Sequence, residues 1–150
     1  RFLIFTAIVF GLSACTSTSI ERTSDATALS ASTTNVYSES SLTSSSTVYF
    51  SYDNYNIDSI GSDKIKNLAA IIKKNGLNVR VEGHCDERGT REYNLALGER
   101  RANAIAELLI INGVSKANIM TVSYGEEKPS ARGSNESSWS KNRRALIKTF

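Results

Sequence analysis

Residues 91–111 carry a helical pattern long enough, and small enough on one face, to dictate how the neighbouring segments must pack. Thr90 is placed to cap its N-terminus and Asn112-Gly113 to stop it. Gly98, Ala102, Ile105, Ala106 and Leu109 form the expected buried stripe, with small residues where another backbone must come close. At 100° per residue, Asn94, Leu97 and Arg101 (i, i+3, i+7) lie along one edge beside that stripe. Immediately upstream, residues 78–84 (NVRVEGH) alternate, with Val79, Val81 and Gly83 on one face and Arg80, Glu82 and His84 on the other. This predicts a strand with one covered and one wetter face. Cys85, Asp86 and Gly89 then stand in a polar loop between strand and helix.

The remaining segments fall into place around this unit. Residues 48–53 (VYFSYD) are β-branched and aromatic and read as a strand. A polar loop over 55–61 offers Asp58, Ser59 and Ser62 as N-cap candidates. Ile65, Leu68, Ala69 and Ile72 then recur at i, i+3, i+4 and i+7, one face of a helix. Lys73 and Lys74 suit its negative end, and Asn75-Gly76 stops it. Residues 119–124 and 145–150 read as two further strands, joined by a polar loop with Pro129 and Gly133 and a short helical turn near 139–142. The order β-α-β-α-β-loop-β predicts an α/β (α+β) sandwich, helices packed on one face of a mixed sheet.

With 150 residues, there is room for one ordinary domain plus accessories. Of 18 basic and 15 acidic residues, only Arg1, Arg22, Glu21, Asp25 and Glu39 precede Val48, which leaves +4 on residues 48–150. That balance suits an anionic partner, but no basic stripe with interleaved aromatics accompanies it, so nucleic acid is set aside. The two cysteines, Cys15 and Cys85, have unrelated settings and are expected not to pair.

Residues 2–12 (FLIFTAIVFGL) are too short an apolar run for a membrane span and have the dimensions of a signal-peptide core. No initiator Met is present, and part of the basic leader is expected to precede Arg1. Leu12-Ser13-Ala14-Cys15 resembles the bacterial lipobox, which implies removal of residues 1–14 and lipidation of Cys15. Several acyl chains, at about 0.8 kcal/mol per buried CH₂, would give stable anchoring. Thr16 stands where an Asp signals inner-membrane retention, so the resemblance favours the outer membrane. From Thr16 to Thr47 more than half the residues are Ser or Thr, without Gly or Pro. Such a segment cannot offset its ordering entropy and reads as a tether spanning roughly 30 Å, and about 100 Å when stretched.

Asp86 and Arg101 are the charged pair this arrangement brings near one groove. Two arrangements are open from spacing. The two side chains pair with each other or cap the helix, the simpler reading, or they hold the opposite ends of a zwitterion. In the second, Asp86 accepts from an ammonium and Arg101 clamps a carboxylate.

The run Gly83, His84, Asp86, Gly89, Asn94, Leu97, Gly98, Arg101, Ala102 resembles the OmpA-like peptidoglycan-binding domain, in the pattern Gly-His-x-Asp-x-x-Gly-x-x-x-x-Asn-x-x-Leu-(Ser/Gly)-x-x-Arg-Ala. The segments DERGT, EYN, ALGERRANA, VSYGEEKP and SKNRRA are similar to its lipid-anchored outer-membrane branch, and the resemblance covers residues 48–150. It implies non-covalent binding of the meso-diaminopimelate stem peptide of peptidoglycan, with Asp86 on the ammonium and Arg101 on the carboxylate. Tyr52, Asp53 and Asn54 are implied to add contacts, Leu97 to line the pocket, and Asn94, with Gly83, His84 and Gly89, to support the site. The partners implied are the cell wall and the periplasmic β-propeller of the Tol system, in envelope integrity and cell division. The chain departs from the pattern at Arg91 (usually Pro), Cys85 (Ala or Thr) and Trp139 (Tyr). None of these removes a ligand-binding group, and Cys85 is expected to be a small buried residue.

Other readings weigh less. His84 and Cys85 are consecutive on an extended chain and point to opposite faces, so they form no nucleophile–base pair. One His without a second ligand pair gives no metal spacing, and no cofactor is expected beyond the lipid on Cys15. The chain is therefore expected not to be an enzyme. A flagellar stator or porin would need membrane segments. A module serving chiefly a Tol-system partner remains the alternative, through the loop at Glu126-Glu127-Lys128 or the edge near Tyr52.

Overall fold

The computed structural model describes residues 47–150; the leader, Cys15 and the Ser/Thr-rich tether lie outside the described residues. Among the described residues, four strands and three helices follow one another as β1 (Thr47–Tyr49), α1 (Ser59–Asn75), β2 (Val79–His84), α2 (Arg91–Ile111), β3 (Ile119–Gly125), α3 (Glu136–Asn142) and β4 (Arg144–Thr149), with a 3₁₀ turn at Lys116–Asn118. The sheet order is β1-β4-β2-β3. β4 runs antiparallel to both of its neighbours, and β2 and β3 are parallel. The sheet is mixed, as expected of an α/β sandwich.

Each helix starts where a side chain can satisfy its orphan N–H groups. Asp58, one of three candidates, caps α1 by accepting from the Gly61 N–H at 2.7 Å. Thr90 caps α2 and Asn135 caps α3 in the same way. Gly76 ends α1 in the left-handed conformation at φ 60°, and Lys73 and Lys74 occupy its last turn. One core joins Ile65, Leu68, Ala69 and Ile72 of α1, Ala102, Ile105 and Leu109 of α2, and Val79, Val81, Ala145 and Ile147 of the sheet.

The stripe of small residues on α2 sets the depth of the assembly. A Cβ on Gly83 would overlap the carbonyl of Gly98, so β2 and α2 meet backbone to backbone. Ser123 of β3 locks this contact by donating to the Leu95 carbonyl at 2.7 Å. The register slips between Gly83 and His84, and a bulge there re-aims the chain into the loop that follows.

Two expectations need correction. The strand expected over 48–53 ends at Tyr49. Phe50 still donates to the Arg143 carbonyl, but the chain then turns through Asp53 at φ 50°, a left-handed conformation that no strand continues. The second face of β2 is also wet only at Arg80, which is half-buried. Glu82 is 3% and His84 2% exposed. Because β2 is central, its far-face side chains lie between those of β4 and β3. Glu82 is compensated there by Lys148 at 2.8 Å and Arg80 at 3.0 Å.

His84 is compensated far less, with the Glu82 carboxylate 3.9 Å from its Nε2. Neither ring nitrogen has a hydrogen-bond partner among the described residues, and the imidazole lies against Tyr124 with ring centroids 5.4 Å apart. Burial first, and then the Arg144 guanidinium nearby, push the imidazole down to about 4. The unfolded chain therefore takes up a proton at about pH 6.5 that the folded chain refuses until about pH 4. This contribution to stability is complete above pH 6.5 and is lost as the pH falls to 4, by about 3 kcal/mol. Glu82, held below its ordinary value by Lys148 and Arg80 against the opposing effect of burial, acts in the same direction. His84→Gln is expected to flatten the fall in urea midpoint between pH 6.5 and 4.

Candidate functional site

The loop between β2 and α2, the turn after β1 and the start of β4 meet at one end of the sheet. Together they enclose a cleft of about 220 Å³ lined by Asp86, Arg88, Leu97, Arg101, Arg143 and Asp53, with Tyr52, Cys85, Gly89, Tyr93 and Asn94 completing the wall. Its size suits one amino-acid-sized group rather than an extended glycan.

Asn94 ties the loop to the helix. Its Nδ2 donates to the carbonyls of Asp86 (3.2 Å) and Arg88 (3.1 Å) and to the Glu126 carboxylate. Gly89 takes φ 111°, which a side chain would resist, and lies against Asn94 and Tyr93. Leu97, 6% exposed, supplies an apolar patch of the lining.

Arg101 does not flank the groove as expected; it is wholly buried at the base. Gly98 and Ala102 bring the helix so close to the sheet that this edge lies beneath the turn after β1. Its Nε donates to the Asn54 carbonyl (2.8 Å), Nη1 to the His84 carbonyl (2.8 Å) and the Cys85 Sγ (3.4 Å), and Nη2 to the Ser51 carbonyl (3.2 Å). These use four of the five guanidinium N–H groups and no carboxylate. Among the described residues this leaves one Nη2 N–H without a partner and the guanidinium without a carboxylate hydrogen bond. Burial holds the Arg101 pKa below the ordinary guanidinium value.

Asp86, 4% exposed, does not pair with Arg101. It takes a bidentate grip from Arg88, with Nη2 to Oδ2 at 2.7 Å and Nε to Oδ1 at 3.1 Å, and a third contact from Arg143 Nη1 at 3.2 Å. Burial pushes its carboxyl upward, but the hydrogen bonds from Arg88 and Arg143 outweigh that and keep it below the usual carboxylate range. Arg143 is fixed in turn by the Phe50 carbonyl and by Glu136.

The other expected residues divide. Asp53 is exposed at the mouth and accepts from the Tyr93 hydroxyl. Tyr52 lines the cleft with its ring over Arg88. Asn54 turns its side chain to the Asn56 N–H and serves through its carbonyl, and the His84 ring lies on the far face of the sheet. Gly83 stands behind the cleft, against Gly98. Cys85 donates to the Asn94 carbonyl at 3.2 Å, and burial pushes its thiol up to about 11, so it is a packing group rather than a nucleophile.

Arg88, Arg143, Tyr93, Trp139 and Glu136 belong to the same constellation and were given no role from sequence. Arg88 is two residues from Asp86 and Arg143 lies in the SKNRRA segment, but nothing local places Arg143 beside Asp86.

A four-stranded mixed sheet with this helix–loop cleft is the architecture of OmpA-type domains. The model of the OmpA family matches residues 49–143, and the chain belongs to that family. Peptidoglycan-associated lipoproteins are among its curated relatives. It is 46% identical to that of Pseudomonas putida over 110 residues, 73% of this chain and 66% of the relative. It is 48% identical to that of Pasteurella multocida over 102 residues, 67% of this chain and 68% of the relative. The chain thus spans about two thirds of the length of these proteins. The crystal structure of the peptidoglycan-associated lipoprotein from Burkholderia pseudomallei superposes with a TM-score of 0.68 at 40% identity, covering 70% of this chain and 90% of that one. The C-terminal domain of Helicobacter pylori MotB superposes at 0.64 over 69% of this chain and 81% of its own, but at 24% identity that likeness speaks for the fold alone.

Proposed function

We propose that this chain is an outer-membrane lipoprotein that binds peptidoglycan non-covalently, by holding the zwitterionic end of a meso-diaminopimelate side chain. The observation that carries this reading is one cleft of amino-acid size whose lining brings together the carboxylates of Asp86 and Asp53, the guanidinium of Arg101 and the apolar side chain of Leu97. An ammonium suits the carboxylates and a carboxylate suits the guanidinium. The names of the relatives support the wall as the ligand, and the lipobox at Cys15 with its tether supports the anchor. The exposed Tyr52 at the cleft, with the exposed Tyr55 three residues on, offers a surface for a protein partner, and we assign it to the β-propeller of the Tol system. A partner seated there would compete with the wall.

The lipid-free chain, Cys15→Ser, is expected to pellet with purified wall that carries diaminopimelate and not with wall that carries lysine. Asp86→Asn, which keeps the shape and removes the charge, is expected to weaken pelleting at least tenfold. Equal pelleting on both walls, or an unaffected variant, would remove the proposed site. Release of soluble muropeptides during the incubation would show an enzyme instead.

A further inference from the structure

The Asp86 carboxylate has no acceptor position to spare. Four hydrogen bonds reach it: Nε, Nη2 and the backbone N–H of Arg88, and Nη1 of Arg143. A carboxylate offers about four lone-pair sites, so the seat in which an ammonium would be read is already taken. It is taken by a cation. The guanidinium carbon of Arg88 lies 4.0 Å from the ring centroid of Tyr52 and 4.1 Å from that of Trp139, and Glu136 stands 3.8 Å from its Nη2. Two aromatic faces and a buried carboxylate make a cation cage.

We propose that Arg88 is a resident stand-in for the ligand's cation, and that its side chain leaves the cage formed by Asp86, Tyr52 and Trp139 when an ammonium binds. This rests on the reading of the cleft as a site for a zwitterionic side chain.

Of the two guanidinium groups on Asp86, Arg88 is the one free to go. Its side chain is 29% exposed, against 8% for Arg143. Arg143 is also tied to the Phe50 carbonyl and to Glu136 at hydrogen-bond distance. Among the described residues, the Arg88 side chain has no hydrogen bond other than those to Asp86. Its backbone stays in place, since its N–H is held by Asp86 and its carbonyl by Asn94. The exchange is therefore a side-chain rotation that leaves the loop intact.

The exchange also selects. Moving Arg88 out without replacing its charge leaves a buried carboxylate with Arg143 as its sole guanidinium partner, which is costly. A neutral or anionic group cannot make up that cost, and an amine can. Affinity is then lowered by the fraction of time the cage stands open.

The test uses the full chain in detergent and a soluble stem peptide ending in meso-diaminopimelate, with the same peptide acetylated on its side-chain amine as control. Trp139 is the single tryptophan of the chain and reports on the cage directly. Arg88→Gln is expected to bind the amine peptide about tenfold more tightly, a gain of ~1.4 kcal/mol. Its ligand-free Trp139 emission is expected to resemble that of the peptide-bound wild type. Arg88→Lys, which restores a cation, is expected to return the affinity to the wild-type level. The acetylated peptide is expected to bind none of the three. If the wild type binds and Arg88→Gln binds equally or more weakly, or if Arg88→Lys binds as tightly as Arg88→Gln, the displacement is overturned and the site stands. If neither the wild type nor Arg88→Gln binds the amine peptide, the zwitterion site falls and the displacement with it.

Discussion

Arg101→Ala is expected to abolish pelleting with peptidoglycan and to lower stability by about 3–5 kcal/mol. The side chain is wholly buried and ties the turn after β1 to the end of β2 through the carbonyls of Ser51, Asn54 and His84. Truncation leaves those carbonyls without their donor, opens a cavity and frees the turn that carries Tyr52 and Asp53. With a domain stability of about 5–15 kcal/mol, the loss is read as a reduced urea midpoint at 25 °C. Arg101→Lys distinguishes charge from geometry. A lysine retains the positive charge, but one ammonium cannot match a planar fork aimed at carbonyls on three sides. It is expected to recover part of the stability and none of the binding. A lysine variant that pelleted normally would mean that the charge alone suffices.

Gly83→Ala is expected to cost about 3 kcal/mol or more, through overpacking rather than lost contacts. The added methyl group would overlap the Gly98 carbonyl, a helical backbone atom that cannot rotate aside. Helix α2 must then lift off the sheet, which carries Leu97 and Arg101 away from Asp86 and opens the cleft. The variant should therefore lose thermal stability and wall binding together, whereas Asp86→Asn should lose chiefly binding. Thermal unfolding with parallel pelleting assays separates the two. A Gly83→Ala protein of unchanged melting temperature would show that the backbone contact between β2 and α2 is not as close as described.

The long helix was legible to the residue because its determinants are local. Thr90 caps it and Asn112-Gly113 follows its end, and the apolar and small positions recur at a period that does not depend on the rest of the chain. The same holds for Asp58 and Gly76 at the ends of α1. The strand after the tether was read too long, because its aromatic residues look alike on either side of the turn at Asp53. On α2, the phase of Asn94, Leu97 and Arg101 along one edge was correct, but phase gives no depth. How far Arg101 lies beneath the surface depends on the turn after β1, which crosses above it.

By itself the sequence determined the elements, their order, the backbone contact foreshadowed by Gly98 and the loop that carries Asp86. Those features follow from periodicity, capping and side-chain size over a few residues. Only the tertiary structure decided which charges meet. Strand β4 inserts between β1 and β2 and runs antiparallel to β2, with Gly83 opposite Ala145. The end of one strand therefore meets the start of the other, and Arg143 arrives beside Asp86 from 57 residues away. Asp86 pairs with Arg88 and Arg143, and Arg101 is left with backbone carbonyls and one free N–H, because strand order rather than spacing sets the partners of a buried charge.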